Sequence, residues 1–221
     1  METCVISPIV KIICITGYSG SGKTTMLKLM QKYLPNSHLI YRDGNKETRN
    51  IQFPDEYEKK YGFPVNTDDV MEYFLNVAAF TANKDINNAY ADVNVIKKYY
   101  ELVADYLEKK FEETLTKIST KSTSQYIIMD WISLPASKIW KKADYRIMVK
   151  PAKWDLLVKN VGKRKSTYEI TPDIANARYL AAKDFVENAE NITHVIINNY
   201  NEGYEQKIKD LCIEFITEKY G

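Results

Sequence analysis

The chain has 221 residues, of which 45% are hydrophobic and 27% are charged, and its 31 Lys and Arg residues nearly balance 29 Asp and Glu. This length is enough for one large domain with its own core, and the composition excludes disordered, collagen-like and coiled-coil chains. A net charge of +2 lacks the basic excess of a dedicated nucleic-acid binder, so we expect no nucleic-acid partner.

The cysteines and the apolar runs bear on the compartment. Cys4, Cys14 and Cys212 are odd in number and lie in apolar runs, which is typical of buried thiols in a reducing compartment. The longest apolar run, residues 9–16, is far shorter than the ~20 residues of a membrane span, and no signal-peptide pattern precedes it. We therefore expect a cytoplasmic protein that does not bind a membrane, and the sequence leaves its oligomeric state open.

Short, nearly continuous β-branched runs alternate along the chain with stretches of helical periodicity. The runs predict five strands, at residues 9–16, 38–42, 126–129, 145–149 and 194–198. The 3.6-residue pattern predicts helices at residues 23–33, 68–82, 89–118, 136–142, 154–161, 173–189 and 204–219. Strands that alternate with helices indicate an α/β fold of three layers, with a parallel sheet between two layers of helices.

The interval between the second and third predicted strands is long and mainly helical. Ligand crevices in open parallel sheets lie beyond the carboxyl ends of the strands. We therefore expect residues 44–124 to form a helical insertion that binds an acceptor, and residues 1–43 and 125–221 to form the nucleotide-binding core. The insertion's longest helix carries an apolar stripe that must pack against something: Ala89, Val93, Ile96, Tyr100, Val103, Leu107, Phe111, Leu115 and Ile118.

The first predicted strand is followed by the glycine-rich pattern G-x-x-x-x-G-K-[ST], and a predicted helix begins within that pattern. Glycines at this spacing let successive backbone N–H groups point into one concavity, and the helix N-terminus adds partial positive charge. Lys23 is expected to reach the β- and γ-phosphates of ATP, and the Thr24 hydroxyl to bind Mg²⁺. The residues expected to bind the nucleotide phosphates are Gly17, Tyr18, Ser19, Gly20, Ser21, Gly22, Lys23, Thr24 and Thr25.

Phosphoryl transfer also needs an acidic group for the acceptor hydroxyl or for Mg²⁺. Asp43 follows the second predicted strand and Asp130 follows the third, so both are expected near the phosphates. Asp130 is a candidate for holding Mg²⁺, partly through water, or for contacting the acceptor. Structural alternatives stay open for both residues, a turn at Asp43-Gly44 and a helix start at Asp130.

Basic residues that could neutralise the transferred phosphoryl group lie near the end of the chain. Lys163-Arg164-Lys165 follows a glycine, which predicts a lid over residues 162–172, although a solvated loop at a helix end explains the same charges. Arg178, inside the next predicted helix, either points toward the phosphates and acceptor or forms a surface ion pair.

Candidates for acceptor binding lie at both ends of the proposed insertion. Arg42 and Arg49 flank its start and are candidates for binding an anionic acceptor. Trp131 follows Asp130 and could stack on an acceptor ring, with core packing as the alternative. The two histidines, His38 and His194, both lie in predicted strands and support neither a zinc site nor a hydrolase triad.

The glycine-rich loop resembles that of the nucleoside and nucleotide kinases, including uridine kinases. The order of parts is similar to that of dephospho-CoA kinases over much of the chain: a strand ending in Asp43, a helical insertion, Ile128-Met129-Asp130, a basic segment around Arg164, and a last strand ending in Asn. The resemblance implies a P-loop fold with a five-stranded parallel sheet. It also implies that Asp43 is the general base, that Arg164 is the lid arginine, and that Asn198 and Asn199 lie near the adenine.

The sequence therefore predicts an Mg²⁺- and ATP-dependent kinase that transfers the γ-phosphoryl group to a small, nucleotide-like acceptor, with dephospho-CoA ahead of a nucleoside. Lys23, Asp43 and Arg164 are its expected catalytic residues. A nucleoside or nucleoside-monophosphate kinase is the alternative, and a P-loop ATPase or nucleotide-dependent switch is the alternative from another class. Residues 130–133 do not match the Asp-x-x-Gly motif of a GTPase, and no Leu-Ser-Gly-Gly-Gln-like segment of an ABC ATPase occurs.

Overall fold

A computed structural model of the chain describes residues 10–41, 70–84, 86–118, 125–162 and 171–218. The described strands form one parallel sheet in the order β2-β3-β1-β4-β5. The five predicted strands are confirmed, each within two residues at its ends. They are β1 (Val10–Thr16), β2 (Ser37–Tyr41), β3 (Gln125–Asp130), β4 (Tyr145–Pro151) and β5 (His194–Asn198).

The described helices follow the predicted order, with one division. The helix predicted over residues 89–118 splits at Asp92, whose carboxylate accepts the backbone N–H groups of Asn94 and Val95 at 2.9 and 3.1 Å and so caps a new helix. None of the described helices combines the length and the apolar character of a membrane span. The helices are α1 (Lys23–Tyr33), α2 (Val70–Thr81), α3 (Val93–Ile118), α4 (Lys138–Lys142), α5 (Trp154–Gly162), α6 (Pro172–Glu187) and α7 (Gly203–Thr217), with 3-10 turns at Ile86–Ala91 and Leu134–Ala136.

Two hydrophobic cores lie on opposite faces of the sheet. Ile13 and Ile15 of β1 belong to the core that contains residues of α1 and α7, whereas Cys14 between them belongs to the core with α2, α3 and α6. All three side chains are fully buried, because successive residues of a strand point to opposite faces and both faces are covered. This explains why the apolar runs of the sequence are continuous.

The described cysteines are buried thiols, as predicted. Cys14 and Cys212 are both free and buried, and burial raises the pKa of each thiol to about 12. Both therefore stay neutral near pH 7 and act as small apolar packing groups. Cys4 lies outside the described residues.

The apolar stripe of α3 packs on the sheet. Val103 and Phe111 are fully buried, in the same core as Ile40 of β2. The described part of the inserted segment thus shares its core with the sheet. The acceptor-binding role of residues 44–124 stays a prediction, since residues 42–69 lie outside the described part of the chain.

Candidate nucleotide-binding site

The phosphate loop, residues 17–22, connects the carboxyl end of β1 to α1. Its glycines Gly17, Gly20 and Gly22 have φ angles of 141°, 88° and 104°, a region that residues with a Cβ rarely adopt. A Cβ on Gly17 would also lie 2.3 Å from the carbonyl oxygen of Val149 in β4. The backbone path of the loop therefore requires the glycines of the motif.

The Lys23 side chain folds back against the loop that precedes it. Its ammonium donates hydrogen bonds to the carbonyl oxygens of Gly17 at 2.9 Å and Tyr18 at 3.0 Å, and the residue is only 8% exposed. These contacts fix a positive charge beside the loop. Such a charge, next to the N-terminus of α1, suits the binding of nucleotide phosphates.

Thr24 and Asp130 are in direct contact beside the phosphate loop. The strand register pairs Asp130 at the end of β3 with Ile15 of β1, so the carboxylate lies next to the start of the loop. The Thr24 hydroxyl donates to Asp130 Oδ2 at 2.8 Å. A hydroxyl and a carboxylate are hard oxygen ligands, and Mg²⁺ in ATP-dependent enzymes is commonly held by one or two such groups together with substrate phosphates. The donor set therefore fits Mg²⁺.

Three side chains, at and after the end of β5, donate hydrogen bonds to carbonyls of the phosphate loop. Tyr200 Oη donates to the Gly20 carbonyl at 3.0 Å, Asn198 Nδ2 to the Ser21 carbonyl at 2.8 Å, and Tyr204 Oη to the Gly22 carbonyl at 3.2 Å. We call Asn198, Tyr200 and Tyr204 the carbonyl brace. Three successive loop carbonyls are thus each bound by one side chain of the brace.

Asn198, which the resemblance places near the adenine, is hydrogen-bonded to the phosphate loop. Both ends of its side-chain amide bind protein, Nδ2 to the loop and Oδ1 to the Tyr200 backbone N–H at 2.7 Å. The residue is 3% exposed, so Asn198 supports the loop, and its nearness to the adenine stays a prediction. Asn199 is exposed, and its nearness to adenine stays a prediction.

Tyr200 and Tyr204 were not identified from the sequence. The chain contains 17 tyrosines, and no local pattern distinguishes these two from the others. The available signal was their place shortly after the last predicted strand, whose final asparagines the resemblance placed near the adenine.

Trp131 lies in the core instead of at an open surface. It is 6% exposed, its indole N–H donates to the Tyr100 carbonyl at 2.9 Å, and its ring packs edge-on against Tyr99 and Tyr100. The chain passes under α3 directly after β3, which corrects the expectation that this ring can stack on an acceptor.

Trp154, at the start of α5, is the tryptophan beside the phosphate loop. Its ring centroid lies 5.7 Å from that of Tyr18 and 4.7 Å from that of Tyr179 in α6, and the residue is 44% exposed. The Tyr18 hydroxyl also donates to Glu187 Oε1 at 3.0 Å. Tyr18 therefore connects the start of the phosphate loop to α5 and α6.

Among the remaining charged candidates, Arg178 lies within the described part of the chain and the others do not. Arg178 is half-buried on α6, one residue before Tyr179, and its predicted contact with phosphate or acceptor stays a prediction. The remaining basic and acidic candidates, Arg42, Asp43, Arg49 and Arg164, lie outside the described residues, as do residues 163–170 of the predicted lid.

The parallel sheet and the glycine-rich loop together define a P-loop nucleotide-binding fold. Residues 7–211 match the model of the KAP family P-loop domain, and the chain belongs to this family of P-loop NTPases. A comparison with curated proteins finds no match.

Solved structures share the fold over nearly the whole chain. TT1252 from Thermus thermophilus is 17% identical with a TM-score of 0.61, and the alignment covers 96% of this chain and 98% of that one. Dephospho-CoA kinase from Campylobacter jejuni is 15% identical, with a TM-score of 0.50 and coverages of 95% and 97%. Shikimate kinase from Acinetobacter baumannii is 12% identical, with a TM-score of 0.50 and coverages of 96% and 96%. The fold is therefore one that small-molecule kinases also use.

Proposed function

We propose that the protein is an Mg²⁺- and ATP-dependent kinase that transfers the γ-phosphoryl group to a small, nucleotide-like acceptor. The observation that carries the proposal is the hydroxyl–carboxylate pair of Thr24 and Asp130, in contact at 2.8 Å beside a phosphate loop that already holds the Lys23 ammonium. The fold shared with dephospho-CoA kinase and shikimate kinase supports a small-molecule acceptor. Dephospho-CoA is the first choice, and a nucleoside or a nucleoside monophosphate is the alternative.

Each group has a defined role in this reaction. The loop N–H groups and Lys23 would bind the β- and γ-phosphates and stabilise the charge that develops on their oxygens. Thr24 and Asp130 would hold Mg²⁺, which, when bound, neutralises charge between the β- and γ-phosphates. Asp43 is the proposed acceptor of the hydroxyl proton, and Arg164 the proposed lid arginine.

The family match favours a second candidate function, nucleotide hydrolysis. The matching model describes P-loop NTPases, and in such an activity water replaces the acceptor hydroxyl. The same phosphate loop, Lys23 and metal pair would serve both reactions, so the acceptor dependence of turnover distinguishes them.

The deciding experiment measures ADP release from Mg·ATP with dephospho-CoA, nucleosides and nucleoside monophosphates. Lys23→Ala serves as the blank. Lys28→Ala is its matched control, because Lys28 is exposed on the same helix and loses the same charge. ADP release that requires one acceptor, together with a phosphorylated product, supports the kinase. Release that no acceptor accelerates contradicts it and supports hydrolysis.

Two carboxylate variants separate the proton acceptor from the metal ligand. Asp43→Asn is expected to abolish turnover while Mg·ATP still binds, because an amide cannot accept the hydroxyl proton. Asp130→Asn is expected to raise the Mg²⁺ concentration needed for half-maximal turnover. Full turnover by Asp43→Asn would show that Asp43 is not the base.

A further inference from the structure

We propose that Tyr200 and Tyr204, together with Asn198, are positioning residues that hold the phosphate loop in its phosphate-binding shape from its carbonyl side. The inference rests on the proposed function only in requiring that the loop binds nucleotide phosphates. It adds a second set of residues, distant in sequence from the motif, to the determinants of nucleotide affinity.

Peptide geometry connects the brace to the phosphate side of the loop. In a trans peptide unit the carbonyl oxygen and the N–H of the next residue point in opposite directions, and the described residues contain no cis peptide. The brace binds the carbonyls of Ser21 and Gly22, so the N–H groups of Gly22 and Lys23 point away from the brace. These N–H groups lie at the start of α1, where helix termini bind anions.

Tyr200 occupies a backbone conformation that is unfavourable for tyrosine. Among the described non-glycine residues with positive φ, Asn36, Asn83 and Asn191 are asparagines, which tolerate this region, and the fourth is Tyr200 with φ 56°. The Asn198 side chain stabilises this conformation by accepting the Tyr200 N–H at 2.7 Å. Strain that the surroundings maintain in this way often marks a functional position. At Tyr200, this conformation places the hydroxyl where it donates a hydrogen bond to the Gly20 carbonyl.

The carbonyl brace also packs closely against the loop backbone at Gly22. A Cβ on Gly22 would lie 2.3 Å from Asn198 Nδ2 and 3.3 Å from Tyr204 Oη. Tyr204 is 5% exposed, and this burial raises the pKa of its phenol above the ordinary value. The hydroxyl therefore stays protonated, and able to donate, across the neutral pH range.

The test compares the affinities of the full-length protein for Mg·ATP, ADP and adenosine after single hydroxyl deletions. Tyr200→Phe and Tyr204→Phe each remove one hydrogen bond to the loop. Each is expected to weaken ATP and ADP binding about 5–10-fold, the loss expected for one hydrogen bond, and to leave adenosine binding unchanged. Tyr145→Phe is the matched control, because its half-buried hydroxyl donates to Glu218 Oε2 at 2.8 Å, away from the loop. It is expected to leave all three affinities unchanged.

A second variant separates positioning from general stability. Tyr200→Asn removes the hydroxyl together with the ring, but it relieves the backbone strain because asparagine tolerates positive φ. We therefore expect it to bind ATP as weakly as Tyr200→Phe, while the nucleotide-free protein melts no lower than that variant. A purely structural role would make nucleotide affinity follow the melting temperature instead.

The outcomes distinguish this inference from the proposed kinase activity. Wild-type affinity for ATP in both phenylalanine variants, or an equal loss in Tyr145→Phe, would overturn the positioning role. Wild-type protein that binds Mg·ATP but phosphorylates no acceptor would contradict only the kinase. Failure of the wild-type protein to bind Mg·ATP would overturn both.

Discussion

The two arms of the phosphate loop, its start at Gly17-Tyr18 and its end at Ser21-Gly22, are supported by different kinds of group. In the first arm, Gly17 lies against the backbone carbonyl of Val149, while in the second arm Gly22 lies against the side-chain amide of Asn198. A carbonyl within β4 can move only if the strand moves, whereas a side chain has rotatable bonds. The sheet therefore determines the position of the first arm, whereas side chains at and after the end of β5 support the second.

Removal of the Lys23 side chain should have the largest effect, because this residue has a proposed role in phosphate binding and also supports the start of the loop. Lys23→Ala deletes a charge for the nucleotide and the hydrogen bonds to the Gly17 and Tyr18 carbonyls. We expect turnover to fall by about 100-fold or more, a size typical for loss of one group that stabilises transition-state charge. Steady-state ADP release measures it, and near-normal turnover would show that the ammonium is not part of the reaction.

Replacing the glycine of each arm with alanine tests whether the two arms are supported differently. Gly17→Ala is expected to lower the free energy of unfolding by about 2–4 kcal/mol, since both positive φ and the unyielding Val149 carbonyl oppose a Cβ. Gly22→Ala should cost less, about 1–3 kcal/mol, because the displaced Asn198 amide loses its hydrogen bond to the Ser21 carbonyl but no strand has to move. Urea unfolding of both variants gives the two values. Equal losses would show that the two arms are supported equally.

Tyr18→Phe should have the smallest effect. It removes the hydrogen bond from the first arm to Glu187 at 3.0 Å but keeps the ring, so we expect a loss of about 0.5–1 kcal/mol. Desolvation and Glu187 raise the pKa of the Tyr18 phenol. The contribution is therefore fully present below the unfolded pKa of about 10 and is lost as pH rises beyond it. Thermal unfolding should show a constant difference from wild type between about pH 6 and pH 9; a difference that vanishes inside this window would contradict the assignment.

The elements of the fold could be predicted because each has a local signal. Continuous β-branched runs mark the five strands, since both faces of the sheet are covered, and the boundaries of α1 agree with the predicted residues 23–33. The periodicity predicted one helix over residues 89–118, because it does not show that the Asp92 side chain caps a new helix. The order of strands in the sheet was not predicted, because strand pairing leaves no local pattern.

The candidate site was predictable only in part. The phosphate loop was identified because its backbone requires glycines at fixed positions, Thr24 because it occupies the Ser/Thr position of the same motif, and Asp130 because it follows a predicted strand. For Trp131 the sequence left ring stacking and core packing open, because a tryptophan beside a candidate site residue has the same local pattern in both cases; its burial under α3 favours core packing.

The alternation of strands and helices and the phosphate loop can be read from the amino-acid sequence, since periodicity and glycine spacing act over a few residues. Which distant side chains support that loop depends on tertiary contacts. Thr24 contacts Asp130 across 106 residues, and the carbonyl brace contacts the loop across 177, 180 and 182 residues. Such contacts depend on where parallel strands end relative to one another, which is settled only when the whole sheet assembles.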